Sequence, residues 1–405
     1  MAAAYSRTVS PILADISQDI AGAIPLELIL LWSTSDRSAK KHKDLLDQHT
    51  KVGTVVSSDA SGLSKLSAEK TLLEVMQLVS QPKESIYGYG KAVGGEAIGM
   101  WVADNTQMFY DQSIDPKEVV NAMSTAQEEI KKESLVQVGM GIHHGTFIEI
   151  GGGLYGKDAS LVEELAENNT AGGEIAVTQA LKKKLGVTFS KKLTPHQTYP
   201  KAFTLQSLET SQRIEKHTLT TYPYPFDKNF YDTLKNLATL SPTQVEAKYN
   251  TFAQQGIVIF LKIHHQPRRL LLERLTDYIV ANAYIQQILR EYKEVTLVKS
   301  NGDLGIFLAH DRTVATEFAK KLFDKLQSNS FDLNIALTQG EVLLFPLQAG
   351  FEIAGGPVNV ASKLTEDAGE INRVLVEESL GMPSGDSQTF LFTVSKVEIK
   401  GQYLI

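Results

Sequence analysis

Residues Val295 to Leu308 read VTLVKSNGDLGIFL. An apolar run ends at Lys299, Asn301-Gly302-Asp303 makes a turn, and a second apolar run leaves it. Asn and Gly accept positive φ at low cost, so this turn between apolar runs predicts a β-hairpin. The layout recurs at Ile98 to Tyr110, IGMWVADNTQMFY, with Asp104 at the turn. Met100 stands four residues before Asp104, as Lys299 stands before Asp303. The neighbourhoods of the two hairpins match in order, so the chain reads as two copies of one domain.

In the first copy, periodicity predicts a strand over Val52–Ser58, a helix over Ser67–Ser80 and the hairpin within Tyr87–Tyr110. A helix over Pro116–Lys132, a strand over Gln137–Ile150, a helix over Asp158–Asn168 and a strand from Ile175 follow. The second copy repeats the order: a strand after Gly256, a helix over Leu270–Ile288, the opening hairpin, a helix over Ala315–Leu326, a strand over Leu333–Phe345 and a helix from Pro357. Two strands close it, Thr389–Val394 and Val397–Ile405, and Ala368-Gly369-Glu370-Ile371 mirrors Gly172-Gly173-Glu174-Ile175. The class is α+β, each sheet covered by helices. The expected divisions are a helical segment at 1–50, domains at 51–207 and 254–405, and a connection at 208–253 marked by Tyr222-Pro223-Tyr224-Pro225.

The chain has 405 residues, enough for two domains that each bury a core, and a net charge of −7 that disfavours a nucleic-acid partner. It has no cysteine, which excludes disulfides and thiolate metal sites. No basic, then apolar, leader opens it, and the apolar run Ile24–Trp32 is too short to span a bilayer. The expectation is a soluble, cytoplasmic protein with no transmembrane segment. Ile12, Leu13, Ile16, Ile20 and Ile24 recur at helical spacing. The plain reading is a packing helix, and the sharper one is a contact with a protein partner or regulator.

Asp59 and Asp104 close strands of the first copy, and paired aspartates with substrate phosphates are the usual ligands of Mg²⁺. Alone they are commonplace. The words around them are not. Ser57-Ser58-Asp59-Ala60-Ser61-Gly62-Leu63-Ser64 resembles the Phe-x-Asp-Ile-x-Gly-Phe-Thr motif of the class III nucleotidyl cyclases, the adenylyl and guanylyl cyclases, with Ser57 and Leu63 at the Phe positions. Lys299-Ser300-Asn301-Gly302-Asp303 matches that family's Lys-x-x-Gly-Asp hairpin outright, whereas Met100 to Asp104 keeps only the aspartate. Glu352 and the run Gly355 to Lys363, with Asn359, resemble the motif Gly-Asn-x-Val-Asn-x-Ala-x-Arg after an acidic residue, with Lys363 for Arg.

The resemblance implies two cyclase homology domains, derived from a ferredoxin-like fold, packed as a pseudo-symmetric head-to-tail dimer. Asp59 and Asp104 would bind Mg²⁺ or Mn²⁺. Lys299 and Glu352 would read the base, and Asn359 and Lys363 would orient the ribose and offset charge in the transition state. The complementary positions are lost: Lys262 replaces an aspartate in the second copy, and Met100, Gly153, Ser160 and Glu164 replace the readers in the first. One site and one degenerate site per chain are thus expected. The implied activity is an adenylyl cyclase making cyclic AMP and pyrophosphate from ATP. A donor at Lys299 and an acceptor at Glu352 favour adenine, with GTP as the weaker substrate reading. The alternative is a pseudo-cyclase that binds nucleotide without turnover. It is motivated by Glu352, by Lys363, whose point charge is not Arg's planar fork, by Ala103 and by Lys400-Gly401-Gln402, where the family has Lys-Gly-Lys.

Overall fold

Alternating burial along two long strands sets the frame, because a strand presents successive side chains to opposite faces. A computed structural model describes residues 24–380, apart from 64, 65, 67, 68, 100, 102, 103, 207–213, 220, 266–268, 349, 368 and 369. The helix expected before residue 24, the two closing strands, Met100 and Gln402 lie outside the described residues. The chain forms two compact units: residues 46–226 with 234–238, and residues 24–45, 227–233 and 239 onward.

The first unit carries an eight-stranded sheet. Its strands are β1 (Thr50–Ser61), β2 (Glu96–Ala97), β3 (Thr106–Asp111), β4 (Gln137–Ile150), β5 (Gly153–Tyr155), β6 (Ile175–Thr178), β7 (Leu193–Pro195) and β8 (Ala202–Leu205). They lie in the order β2-β3-β1-β4-β6-β8-β7, with β5 folded back on β4. Helices Leu72–Ala92, Pro116–Glu133, Lys157–Asn169 and Gln179–Ser190 belong to this unit. Val55, Phe109, Phe147, Leu154, Ala159 and Val162 form one buried cluster between the sheet and the helix Lys157–Asn169. The second unit has a six-stranded sheet: β9 (Ala253–His264), β10 (Thr296–Asn301), β11 (Leu304–Ala309), β12 (Asp332–Pro346), β13 (Phe351–Ala354) and β14 (Arg373–Val376). The order β10-β11-β9-β12-β13, with β14 parallel to β12, repeats the core of the first sheet. Val258, Phe260, Ile306, Leu308, Ala336 and Ala361 lie in its core.

The opening hairpin forms as expected: β10 and β11 pair antiparallel, and Gly302 takes φ 60 at the turn. Its counterpart does not have the expected layout. Tyr87 to Ala92 are helical, and among the described residues before β3 only Glu96 and Ala97 pair with it. The stretch from 98 to 105 has no Asn-Gly pair to close a tight turn. The preceding helix is also not Ser67–Ser80. It starts after Thr71, whose side chain and that of Glu74 form a reciprocal capping box, and it continues through Pro82 to Ala92. Gly90 keeps the helix close to β3: a Cβ there would lie 2.3 Å from Met108 Sδ. The mirrored Gly-Glu-Ile words are out of register. Ile175 opens β6, whereas Ile371 precedes β14, separated from it by Asn372 at φ 64. The helix Gln179–Ser190, the strand β8 and the edge strand β7 were not anticipated. Residues 230–250 are two helices, Lys228–Asn236 and Pro242–Phe252. Among the described residues, no helix is long and apolar enough to cross a membrane.

Candidate functional site

In the first unit, Asp59 is the third residue from the end of the 12-residue strand β1. Its neighbour Ser58 pairs with Thr106, so Asp59 emerges beside the loop that carries Asp104. Ser58 and Thr106 hold the two strands together with a buried hydroxyl pair at 2.6 Å. Burial pushes the Asp59 carboxyl up to about 7, and the negative charges of Asp104 and Glu167 push the same way. Burial lifts Asp104 to about 6, with the Lys83 ammonium partly offsetting it.

Lys83 was not anticipated. It projects from the helix Leu72–Ala92, is 3% exposed, and donates from Nζ to the Trp101 carbonyl at 2.9 Å. Burial lowers its pKa to about 7, and the nearby Asp104 and Glu84 oppose that fall. Its signal was available: once the helix is continued past Ser80, residue 83 stands four after Val79 and three before Ile86, on the buried stripe. Glu167, at the end of the helix Lys157–Asn169, is the third carboxylate acting on this cluster.

A divalent cation would relieve the cost that burial and the charges of Asp104 and Glu167 place on an ionised Asp59, so the chemistry of Asp59 and Asp104 suits a hard cation such as Mg²⁺ or Mn²⁺. Among the described residues, no group of three or more His, Cys, Asp or Glu is arranged to hold a metal. A cation at this pair would therefore take its remaining oxygens from a nucleotide or from water.

The second unit places Lys262 at the same point, third from the end of the 12-residue β9. It pairs with Leu304, beside Asp303. Lys262 Nζ lies 2.9 Å from Asp303 Oδ2, an ion pair where the first unit has two carboxylates. Lys299 on β10 reaches across to β13: its Nζ lies 2.8 Å from Glu352 Oε2. The Glu352 side chain is 8% exposed, that of Lys299 34%. The other Glu352 oxygen accepts from the backbone N–H of Ile353 at 3.2 Å. Asn359 and Lys363 lie four residues apart on the helix Gly356–Asp367, hence on one face. That helix is fixed to the sheet by Thr338 Oγ1, which donates to the Pro357 carbonyl at 2.8 Å.

Ser160 and Glu164 occupy the corresponding helix of the first unit, Lys157–Asn169, and Gly153 opens β5 as Glu352 sits in β13. The adjacent histidines of β4 serve the fold: His143 Nδ1 meets Thr178 Oγ1 at 2.8 Å, and His144 Nδ1 meets Thr54 Oγ1 at 3.1 Å, from opposite faces of the strand. Gly151 and Gly152, both at positive φ, make the β4–β5 hairpin turn.

No family profile and no curated protein matches the sequence. Solved structures do match the fold. A class III adenylyl cyclase-like ATP-binding protein from Pseudomonas aeruginosa aligns over 93% of this chain and 92% of its own, with TM-score 0.53 and 14% identity. The adenylyl cyclase CyaB from P. aeruginosa aligns over 38% of this chain and 92% of its own, with TM-score 0.31 and 15% identity. The catalytic core of a rhodopsin-guanylyl cyclase with converted specificity, in complex with ATPalphaS, covers 38% and 94%, with TM-score 0.32 and 16% identity. Over nearly its whole length, this chain has the fold of the class III cyclase-like proteins.

Proposed function

We propose that this chain binds ATP and converts it to cyclic AMP and pyrophosphate, with the two copies paired head to tail around one nucleotide site. The observation that carries the reading is the Lys299–Glu352 pair at 2.8 Å. It offers a donor and an acceptor side by side, which suits N1 and the amino group of adenine. Asp59 and Asp104 would hold Mg²⁺ or Mn²⁺, which when bound neutralises the triphosphate and acidifies the ribose 3′-hydroxyl. Asn359 would orient the ribose. Lys363, one turn further along the same face, would offset charge developing on the phosphoryl oxygens.

A second reading, ATP binding without turnover, is favoured by Lys83. The charge of Lys83 already acts on Asp104 and would repel a cation held by the same carboxylate. The assay is purified protein with ATP or GTP and Mg²⁺ or Mn²⁺. Cyclic AMP above an Asp59→Ala control supports the first reading. ATP-dependent thermal stabilisation without product sinks turnover and keeps binding. Preference for GTP would overturn the adenine assignment.

A further inference from the structure

The centre of the second copy that corresponds to the carboxylate pair has changed sign. Lys262 replaces the first aspartate and ties down Asp303 at 2.9 Å. His265 follows β9 and packs edge-on against Tyr278, with ring centroids 4.9 Å apart. Arg274 lies four residues before Tyr278 on the helix Leu271–Leu289, so the two share a face toward His265. The charges of Lys262, Arg269 and Arg274 all bear on His265, opposed by Asp303. Arg269 is engaged by the buried Asp277.

Two nitrogens in this cluster lack a use. His265 Nε2 and Arg274 Nε are both shielded from solvent and have no hydrogen-bond partner. The arginine Nε always carries a hydrogen, and the imidazole Nε2 donates in the tautomer that places its proton there. An unsatisfied buried donor costs about 1–3 kcal/mol, and folded proteins hold few of them. With the charges of Lys262 and Arg274 both acting on His265, the cluster is complementary to an acceptor with several oxygens.

We propose that the second copy binds a small tetrahedral oxyanion, free phosphate or a phosphoryl group, through Lys262, His265 and Arg274. Where the first copy presents carboxylates to a cation, the second presents donors to an anion. The proposal does not depend on the cyclase reading.

The test is calorimetric titration of the full chain with inorganic phosphate and, separately, with AMP. Saturable phosphate binding is expected, weakened about tenfold or more by Arg274→Leu, since a charge-assisted hydrogen bond is lost. Asp303→Asn removes the opposing carboxylate and is expected to tighten binding several-fold, a gain that misfolding does not mimic. Asp59→Asn should leave it unchanged. Binding of AMP alone, sensitive to Arg274→Leu, would assign the site to a nucleotide phosphoryl group. Absence of saturable binding by either ligand, insensitivity to both Arg274→Leu and Asp303→Asn, or loss of binding in Asp59→Asn would overturn the proposal.

Discussion

Lys299 Nζ sits 2.8 Å from Glu352 Oε2, so the two groups proposed to read a base are bound to each other. The lysine is partly open to water while the carboxylate is nearly buried. On that proposal, ligand binding exchanges this contact for contacts with the base. Lys299→Met should therefore do two things. It should abolish ATP-dependent stabilisation, and it should cost about 1–2 kcal/mol of stability, because it leaves a buried carboxylate unpaired, a penalty moderated by the lysine's exposure. The double change Lys299→Met with Glu352→Met should recover most of the stability and none of the binding. Urea unfolding and ATP titration read the two effects separately.

Asp59→Asn should stabilise the protein without nucleotide or metal. Burial and the charges of Asp104 and Glu167 all disfavour the ionised Asp59, so removing its charge relieves a cost on the order of 4 kcal/mol at pH 8. The same change should remove the rise in Tm produced by Mn²⁺. A variant that melts lower than the parent, with the Mn²⁺ shift intact, would contradict the placement of Asp59 in a cation site.

Lys83→Met keeps the length of the side chain and deletes the ammonium that bears on Asp104. Its burial makes an apolar replacement tolerable. Mn²⁺ affinity, read by electron paramagnetic resonance, should rise several-fold as the lysine's repulsion of a cation at Asp104 is removed. If affinity falls instead, Lys83 supports the metal site and does not compete with it.

These residues differ in how far the sequence reveals them. The Asn-Gly-Asp turn was legible because Gly302 adopts the positive φ that its type permits. The exchange of Asp59 for Lys262 was legible because both stand third from the end of equivalent strands. The first hairpin was not, because Gly99 and Trp101 between its strands are held by long-range contacts. Gly99 N–H donates to Gly152 and Trp101 N–H to Pro223, partners that no local pattern announces. Lys83 was hidden behind Pro82. A proline reads as a helix stop, yet here the helix runs on through it, and tertiary burial overrides the local cost. The unpaired donors of His265 and Arg274 depend on side-chain placement, to which periodicity is blind.

Acid should weaken the fold through buried histidine. His143 is 4% exposed, and burial lowers its pKa below the usual 6.5 although Asp158 pulls the other way. Its ring bonds Thr178 Oγ1 at 2.8 Å and lies 3.5 Å from Asp158, with His144 adjacent in sequence. The folded state thus resists a proton that the unfolded chain accepts. Stability from this group is full above the unfolded pKa and declines as pH falls below about 6.5, levelling off once the folded ring itself protonates. His42, His144, His264 and His265 are shifted in the same direction, so the slopes add. Between pH 7 and 5 Asp59 and Asp104, raised to about 7 and about 6, act in the opposite direction, so the histidine contribution is read by comparing denaturant unfolding of the parent and His143→Asn at closely spaced pH values. In His143→Asn the slope should be smaller by the fraction of one proton that this ring contributes. An unchanged slope would mean that His143 protonates as readily folded as unfolded, with Asp158 supplying the compensation.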